Sequence, residues 1–124
     1  MKRCLIVDDS EIVRQVARAI IESLKYKVAE ASTHAEALDA CRADMPDIIF
    51  LDWHMPSSNS IELIKAIRVA GAAKRPYILY CMTENDPQVL ERAIAAGIDD
   101  TISKPFDRAS VTAKFAHFAL SAAA

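Results

Sequence analysis

The sequence predicts an α/β domain with a doubly wound sheet of five parallel strands and helices on both faces, and three observations carry that prediction. Short apolar runs alternate with longer stretches of helical periodicity about five times along the chain. Several of the short runs are apolar at every position, as strands covered on both faces must be. Capping residues stand where strand gives way to helix.

The elements follow in order. Cys4-Leu5-Ile6-Val7 forms the first strand. After Asp8-Asp9-Ser10, apolar residues fall at Ile12, Val13, Val16, Ala17, Ile20, Ile21 and Leu24, a helical spacing with Ser10 as N-cap. Lys27 to Ala31 alternates like a half-buried strand. Thr33-His34-Ala35-Glu36 is a capping-box pattern that opens a second helix through Leu38 and Cys41. Pro46 punctuates, and Asp47-Ile48-Ile49-Phe50-Leu51 is a third strand ending at Asp52. A loop from Trp53 to Asn59 leads into a helix carrying Ile61, Ile64 and Ile67, which stops near Gly71.

Pro76 to Met82 is the fourth strand, closed by Thr83. Asp86 supplies an N-cap and Pro87 a favoured first helical residue, and that helix runs through Val89, Leu90, Ala93 and Ile94 to Gly97. Thr101-Ile102-Ser103 is a brief fifth strand before Lys104-Pro105. Asp107 caps a last helix whose Val111, Phe115 and Phe118 face the core. His34 and His117 fall on helices and are expected at the surface; Tyr77 and Tyr80 are expected to pack the sheet. No linker or low-complexity block interrupts the pattern, so 1–124 reads as one domain.

Composition narrows the function. At 124 residues the chain buries a core without staples. With 52% hydrophobic and 26% charged residues it is globular rather than disordered. A net charge of −2 argues against a nucleic-acid partner held by bulk positive charge. The only glycines, Gly71 and Gly97, are too far apart for a Walker loop or a dinucleotide-binding turn. Cys4, Cys41 and Cys81 form no C-x-x-C pair and read as free buried thiols of a reducing compartment. The apolar run near the N-terminus, Cys4 to Val7, is far shorter than the roughly 7 residues of a signal core or the roughly 20 of a membrane span. The expectation is a cytoplasmic chain with no membrane partner.

In open parallel sheets the ligand site lies beyond the carboxyl ends of the strands. The groups just past those ends are Asp8 and Asp9, Asp52, Thr83 and Lys104. Singly, each is an ordinary cap or strand-end residue; together they converge on one edge from four segments. Two unit charges about 4 Å apart at an effective dielectric near 20 cost on the order of 4 kcal/mol, so clustered carboxylates must take up a proton or a cation. Carboxylate oxygens with room for water suit Mg²⁺, with Mn²⁺ as an alternative, and the set lacks the His and Cys that zinc prefers. Thr83 and Lys104 offer a hydroxyl and a point charge to phosphate oxygens, and Asp52 is placed as a nucleophile that forms an aspartyl phosphate. Crowding also predicts that replacing Asp8 or Asp52 with Asn stabilises the metal-free fold.

Val7-Asp8-Asp9-Ser10, Leu51-Asp52-Trp53-His54-Met55-Pro56, Met82-Thr83 and Lys104-Pro105-Phe106 resemble the receiver domain of two-component response regulators, the CheY-like superfamily. The resemblance spans essentially the whole chain. It implies a flavodoxin-like (βα)5 three-layer sandwich with strand order 2-1-3-4-5. It implies that Asp52 is the phosphoacceptor, charged by the phosphohistidine of a sensor histidine kinase or histidine phosphotransfer protein. Asp9, Asp52 and the backbone carbonyl of His54 would ligate Mg²⁺, with Asp8 acting largely through water. Thr83 and Lys104 would bind the phosphoryl oxygens. The module would signal by altered binding to a downstream protein target as a single-domain regulator rather than an enzyme, catalysing only its own phosphorylation and dephosphorylation.

Some positions depart from the family pattern. Thr101 stands where an aromatic switch residue is common, Glu84 follows the threonine where a small residue is common, and Ser60 replaces a frequent glycine. His54 and Asn85 occupy positions that, in the family, influence loss of the phosphoryl group. Thr101 and Glu84 motivate the alternative of a receiver-like interaction module that works without phosphorylation. A haloacid-dehalogenase-type phosphatase would want a second acid where His54 stands, and a flavin site would want a hydroxyl- and glycine-rich loop where Asp8-Asp9-Ser10-Glu11 stands.

Overall fold

The computed structural model describes residues 1–55, 59–83 and 86–123. Strands and helices alternate: β1 (Arg3–Val7), α1 (Glu11–Ser23), β2 (Lys27–Ala31), α2 (His34–Ala43), β3 (Ile48–Asp52), α3 (Ser60–Ala70), β4 (Tyr77–Met82), α4 (Pro87–Ala96), β5 (Asp100–Ser103) and α5 (Arg108–Ala123). The strands form one parallel sheet in the order β2-β1-β3-β4-β5, with Val7 level with Leu51, Asp52 with Cys81 and Met82 with Ser103. The expected architecture and strand order are present.

Side chains on a strand alternate between faces, and that alternation divides the core. Cys4, Ile6, Ile48 and Phe50 meet Ala17, Ile20 and Ile21 of α1 and Val111, Phe115 and Phe118 of α5. Leu5, Val7, Ile49 and Leu51 face the other way, onto α2, α3 and Ala93 of α4. Burial on both faces explains why Cys4 to Val7 of β1 and Ile48 to Leu51 of β3 are apolar at every position. The edge strand β2 keeps Glu30 at the surface, where it pairs with Arg14 and Arg18 of α1 (2.9 and 2.6 Å).

Ser10, Thr33 and Asp86 cap helices where the sequence places them, each accepting a hydrogen bond from the first turn of the helix it precedes, and Asn59, read only as the end of a loop, caps α3 in the same way. Asp107 accepts from the Ser110 amide at 2.8 Å. Gly97 ends α4 with φ 119°, a left-handed conformation that favours glycine. Beside it Arg68 of α3 donates to the Gly97 and Pro76 carbonyls and to Asp99, tying the far end of the sheet to two helices.

Three expectations need correction. Ile12 and Val16, counted in the apolar stripe of α1, are 73% and 48% exposed, because Ala17, Ile20 and Ile21 suffice to cover β1. His34 is half-buried rather than exposed, and among the described residues its Nε2 has no hydrogen-bond partner. Glu36 does not close the box on Thr33; its carboxylate accepts from the amide and hydroxyl of Ser32 (2.8 and 2.9 Å). The three cysteines are free and buried, as expected. Among the described residues no helix is long and apolar enough to cross a membrane. Pro56, Glu84 and Asn85 lie outside the described residues, so the departures at Glu84 and Asn85 carry no structural account.

Candidate functional site

The site is built by continuing the sheet one residue past its strands. The amide of Asp8 donates to Ala31 O, that of Trp53 to Cys81 O and that of Lys104 to Met82 O, at 3.1, 2.9 and 2.8 Å. These bonds fix the backbone directions at the carboxyl edge before any side chain is considered. Asp8, Asp9 and Asp52 each bring a carboxylate oxygen there, and the three atoms lie within 4.8 Å of one another. Asp8 and Asp52 are both 2% exposed, whereas Asp9 opens to solvent.

The three acids are not equivalent. Asp8 Oδ1 accepts from the Ser10 amide at 2.8 Å, and its Oδ2 accepts from Lys104 Nζ at 3.2 Å. Lys104 Nζ stands 3.6 Å from Asp52 Oδ1, an ion-pair distance, yet that buried oxygen has no hydrogen bond among the described residues. Burial and the neighbouring Asp8 push the Asp52 carboxyl up to about 6, against the pull of Lys104 and the His54 amide. Burial opposes the Lys104 charge, but Asp52 and Asp8 outweigh it and raise the ammonium above its ordinary value. Cys81, level with Asp52 in the sheet, is pushed up to about 12 by burial and by that carboxylate, which leaves it an inert thiol.

This donor set fits a small hard cation. It is all oxygen, it holds one buried carboxylate oxygen with no hydrogen bond among the described residues, and it has one exposed member through which water reaches the rim. His54 keeps its side chain in solvent with its ring 5.3 Å from that of Trp53.

Thr83 is exposed just past β4, and its hydroxyl accepts from Trp53 Nε1 at 2.8 Å. The geometry thus brings Asp8, Asp9, Asp52 and Lys104 together directly, while Thr83 is held by the indole and keeps its own hydrogen to donate. Thr101 is half-buried and level with Tyr80. With no ring at that position, Thr101, Met82, Thr83 and Leu90 help line a surface cavity of about 420 Å³.

Sequence reasoning missed a network behind the site. Trp53, read as a loop residue, donates through its ring to Thr83 and accepts through its carbonyl from Ser60 Oγ at 3.0 Å. Ser60 in turn lies 2.6 Å from the hydroxyl of Tyr80, which was read as sheet packing alone. The signal was Ser60 itself, a hydroxyl at a position where a glycine is common.

Known proteins resemble this chain over most of its length. The response regulator receiver domain model matches residues 4–116. The chemotaxis protein CheY of Thermotoga maritima is 38% identical over 112 residues, covering 89% of this chain and 91% of that protein. CheY of Halobacterium salinarum is 33% identical over 111 residues, covering 89% and 90%. The solved structure of chemotaxis protein CheY4 of Vibrio cholerae superposes with a TM-score of 0.89 at 29% identity, covering 95% of this chain and 98% of that one.

Proposed function

The chain belongs to the response regulator receiver domain family, and from that premise we propose that residues 1–124 form a Mg²⁺-dependent phosphoacceptor domain with Asp52 as the modified residue. A carboxylate oxygen of Asp52 attacks the phosphorus of a phosphohistidine on a sensor kinase or phosphotransfer protein. The O–P bond forms, the P–N bond breaks, and the departing imidazole takes a proton from water. The phosphorylated domain then changes its affinity for a downstream protein.

One observation carries this reading: a buried Asp52 oxygen with no hydrogen bond among the described residues, at the strand edge beside two further carboxylates and a lysine. Asp52 is ionised above about pH 6, which makes it a competent nucleophile at neutral pH. Asp9, Asp52 and the His54 carbonyl would hold Mg²⁺, with Asp8 acting largely through water; the ion supplies positive charge that neutralises the acids and the phosphoryl oxygens. Lys104, with Nζ 3.6 Å from Asp52 Oδ1, would bind a phosphoryl oxygen, and Thr83 would donate to another.

A second reading is an interaction module that does not use phosphorylation. The half-buried Thr101 favours it, because a methyl and hydroxyl cannot swing as a ring does. Incubation with Mg²⁺ and acetyl phosphate, followed by intact mass, separates the two. The phosphoacceptor reading expects a base-labile gain of about 80 Da, one phosphoryl group, that is absent in Asp52→Asn. No gain in the wild type selects the second reading.

A further inference from the structure

The peptide between Trp53 and His54 is a rigid plane with its C=O and N–H on opposite sides. Its carbonyl accepts from Ser60 Oγ at 3.0 Å. Its amide, on the other side, belongs to His54, two residues beyond Asp52. The orientation of one side therefore sets the other. Ser60 has one hydroxyl hydrogen, and giving it to Trp53 O means that Ser60 must accept from Tyr80, 2.6 Å away. The order Tyr80 to Ser60 to Trp53 follows, each bond polarising the next. Tyr80 is 1% exposed within β4 and Ser60 is 7% exposed at the first position of α3, so water competes little for either hydroxyl.

We propose that Ser60 and Tyr80 are positioning residues for the Asp52 site, acting through the Trp53–His54 peptide. Neither touches the reacting atoms. Together they tie the loop after the phosphoacceptor to β4 and to the start of α3, two elements with no group of their own in the acidic pocket. Trp53 extends the same restraint to Thr83 through its indole nitrogen, so one residue couples both rims of the pocket. The inference rests on the phosphoacceptor reading of that pocket.

The test is a cycle of Ser60→Ala, Tyr80→Phe and the double variant, with Ser60→Thr as the variant that keeps the hydroxyl. Mg²⁺ affinity is read from emission of the single tryptophan, and adduct formation from acetyl phosphate by intact mass. Ser60→Ala is expected to slow adduct formation about tenfold and weaken Mg²⁺ binding about threefold, an effect of misplacement rather than of lost chemistry. Tyr80→Phe is expected to shift both in the same direction by less, and the double variant to match Ser60→Ala alone, since both act along one chain. Ser60→Thr should recover most of the loss. Circular dichroism and melting of each variant separate lost folding from lost positioning. If wild type reacts and binds Mg²⁺ while Ser60→Ala stays within twofold on both readouts, the inference is overturned and the site reading stands. Independent, multiplying effects of the two variants overturn it as well. If wild type itself neither binds Mg²⁺ nor gains the adduct, the site reading fails and the inference falls with it.

Discussion

Lys104 gives its hydrogen bond to Asp8 rather than to Asp52: Nζ lies 3.2 Å from Asp8 Oδ2, while the more distant Asp52 Oδ1, at 3.6 Å, has no hydrogen bond among the described residues. Repulsion within the acidic cluster is therefore concentrated on one of its members. Either Asp8→Asn or Asp52→Asn relieves that repulsion, but only Asp8→Asn gives up the Lys104 hydrogen bond in doing so.

Asp52→Asn is expected to stabilise the metal-free protein at pH 7.5 by on the order of 2–3 kcal/mol, with the gain shrinking toward pH 4. In the fold Asp52 keeps its proton up to about 6, and in the unfolded chain only up to its ordinary value. Between those limits the folded state binds more protons, so its stability falls as pH rises and the full cost is present above about pH 6. Asp8→Asn should change apo stability by less than about 1 kcal/mol, since it loses the Lys104 pair as it relieves Asp52. Denaturant unfolding at the two pH values checks the order, and a larger gain from Asp8→Asn contradicts it.

Asp9 is the exposed acid, and its removal should separate folding from metal binding. Asp9→Asn should leave apo stability within about 0.5 kcal/mol of wild type. Mg²⁺ at 100 times its dissociation constant should stabilise the wild type by about 2.7 kcal/mol, and much less of this should survive in the variant at the same concentration. Melting curves with Mg²⁺ and with a chelator provide the comparison.

Lys104→Met leaves two buried carboxylates without their cation. A loss of about 2 kcal/mol at pH 7.5 is expected, discounted for the partial exposure of the lysine. Part of it should return near pH 5, where Asp52 takes up a proton. A loss that does not vary with pH would show that the packing of the lysine stem, not its charge, matters.

Arg68 tests whether stability and site can be separated. Its guanidinium satisfies the Gly97 and Pro76 carbonyls and pairs with Asp99 at 2.8 Å. Arg68→Met should cost about 2–3 kcal/mol by stranding these acceptors, yet leave Mg²⁺ affinity unchanged. Calorimetric titration of the folded variant decides the second half.

Most of the fold was legible in the sequence because its signals are local. A run such as Ile48 to Leu51 is apolar throughout only when both faces are covered, and Ser10, Thr33 and Asp86 act on helices within a few residues of themselves. Exposure was less legible. Ile12 and Val16 fit the stripe of α1 as well as Ile20 does, and how much of a stripe is buried depends on the width of the sheet beneath it.

The candidate site divides in the same way. Asp8 follows β1, Asp52 ends β3 and Lys104 follows β5, and parallel pairing brings those strand ends to one edge, so their convergence could be read from chain order. Which acid holds the lysine, and how Tyr80 reaches the loop after Asp52 through Ser60, are differences of an ångström or less between residues far apart in the chain. Sequence patterns carry no distances on that scale. Hydrogen bonds and charge energies depend steeply on them, so the order of partners within the pocket was settled only when the strands and α3 had packed.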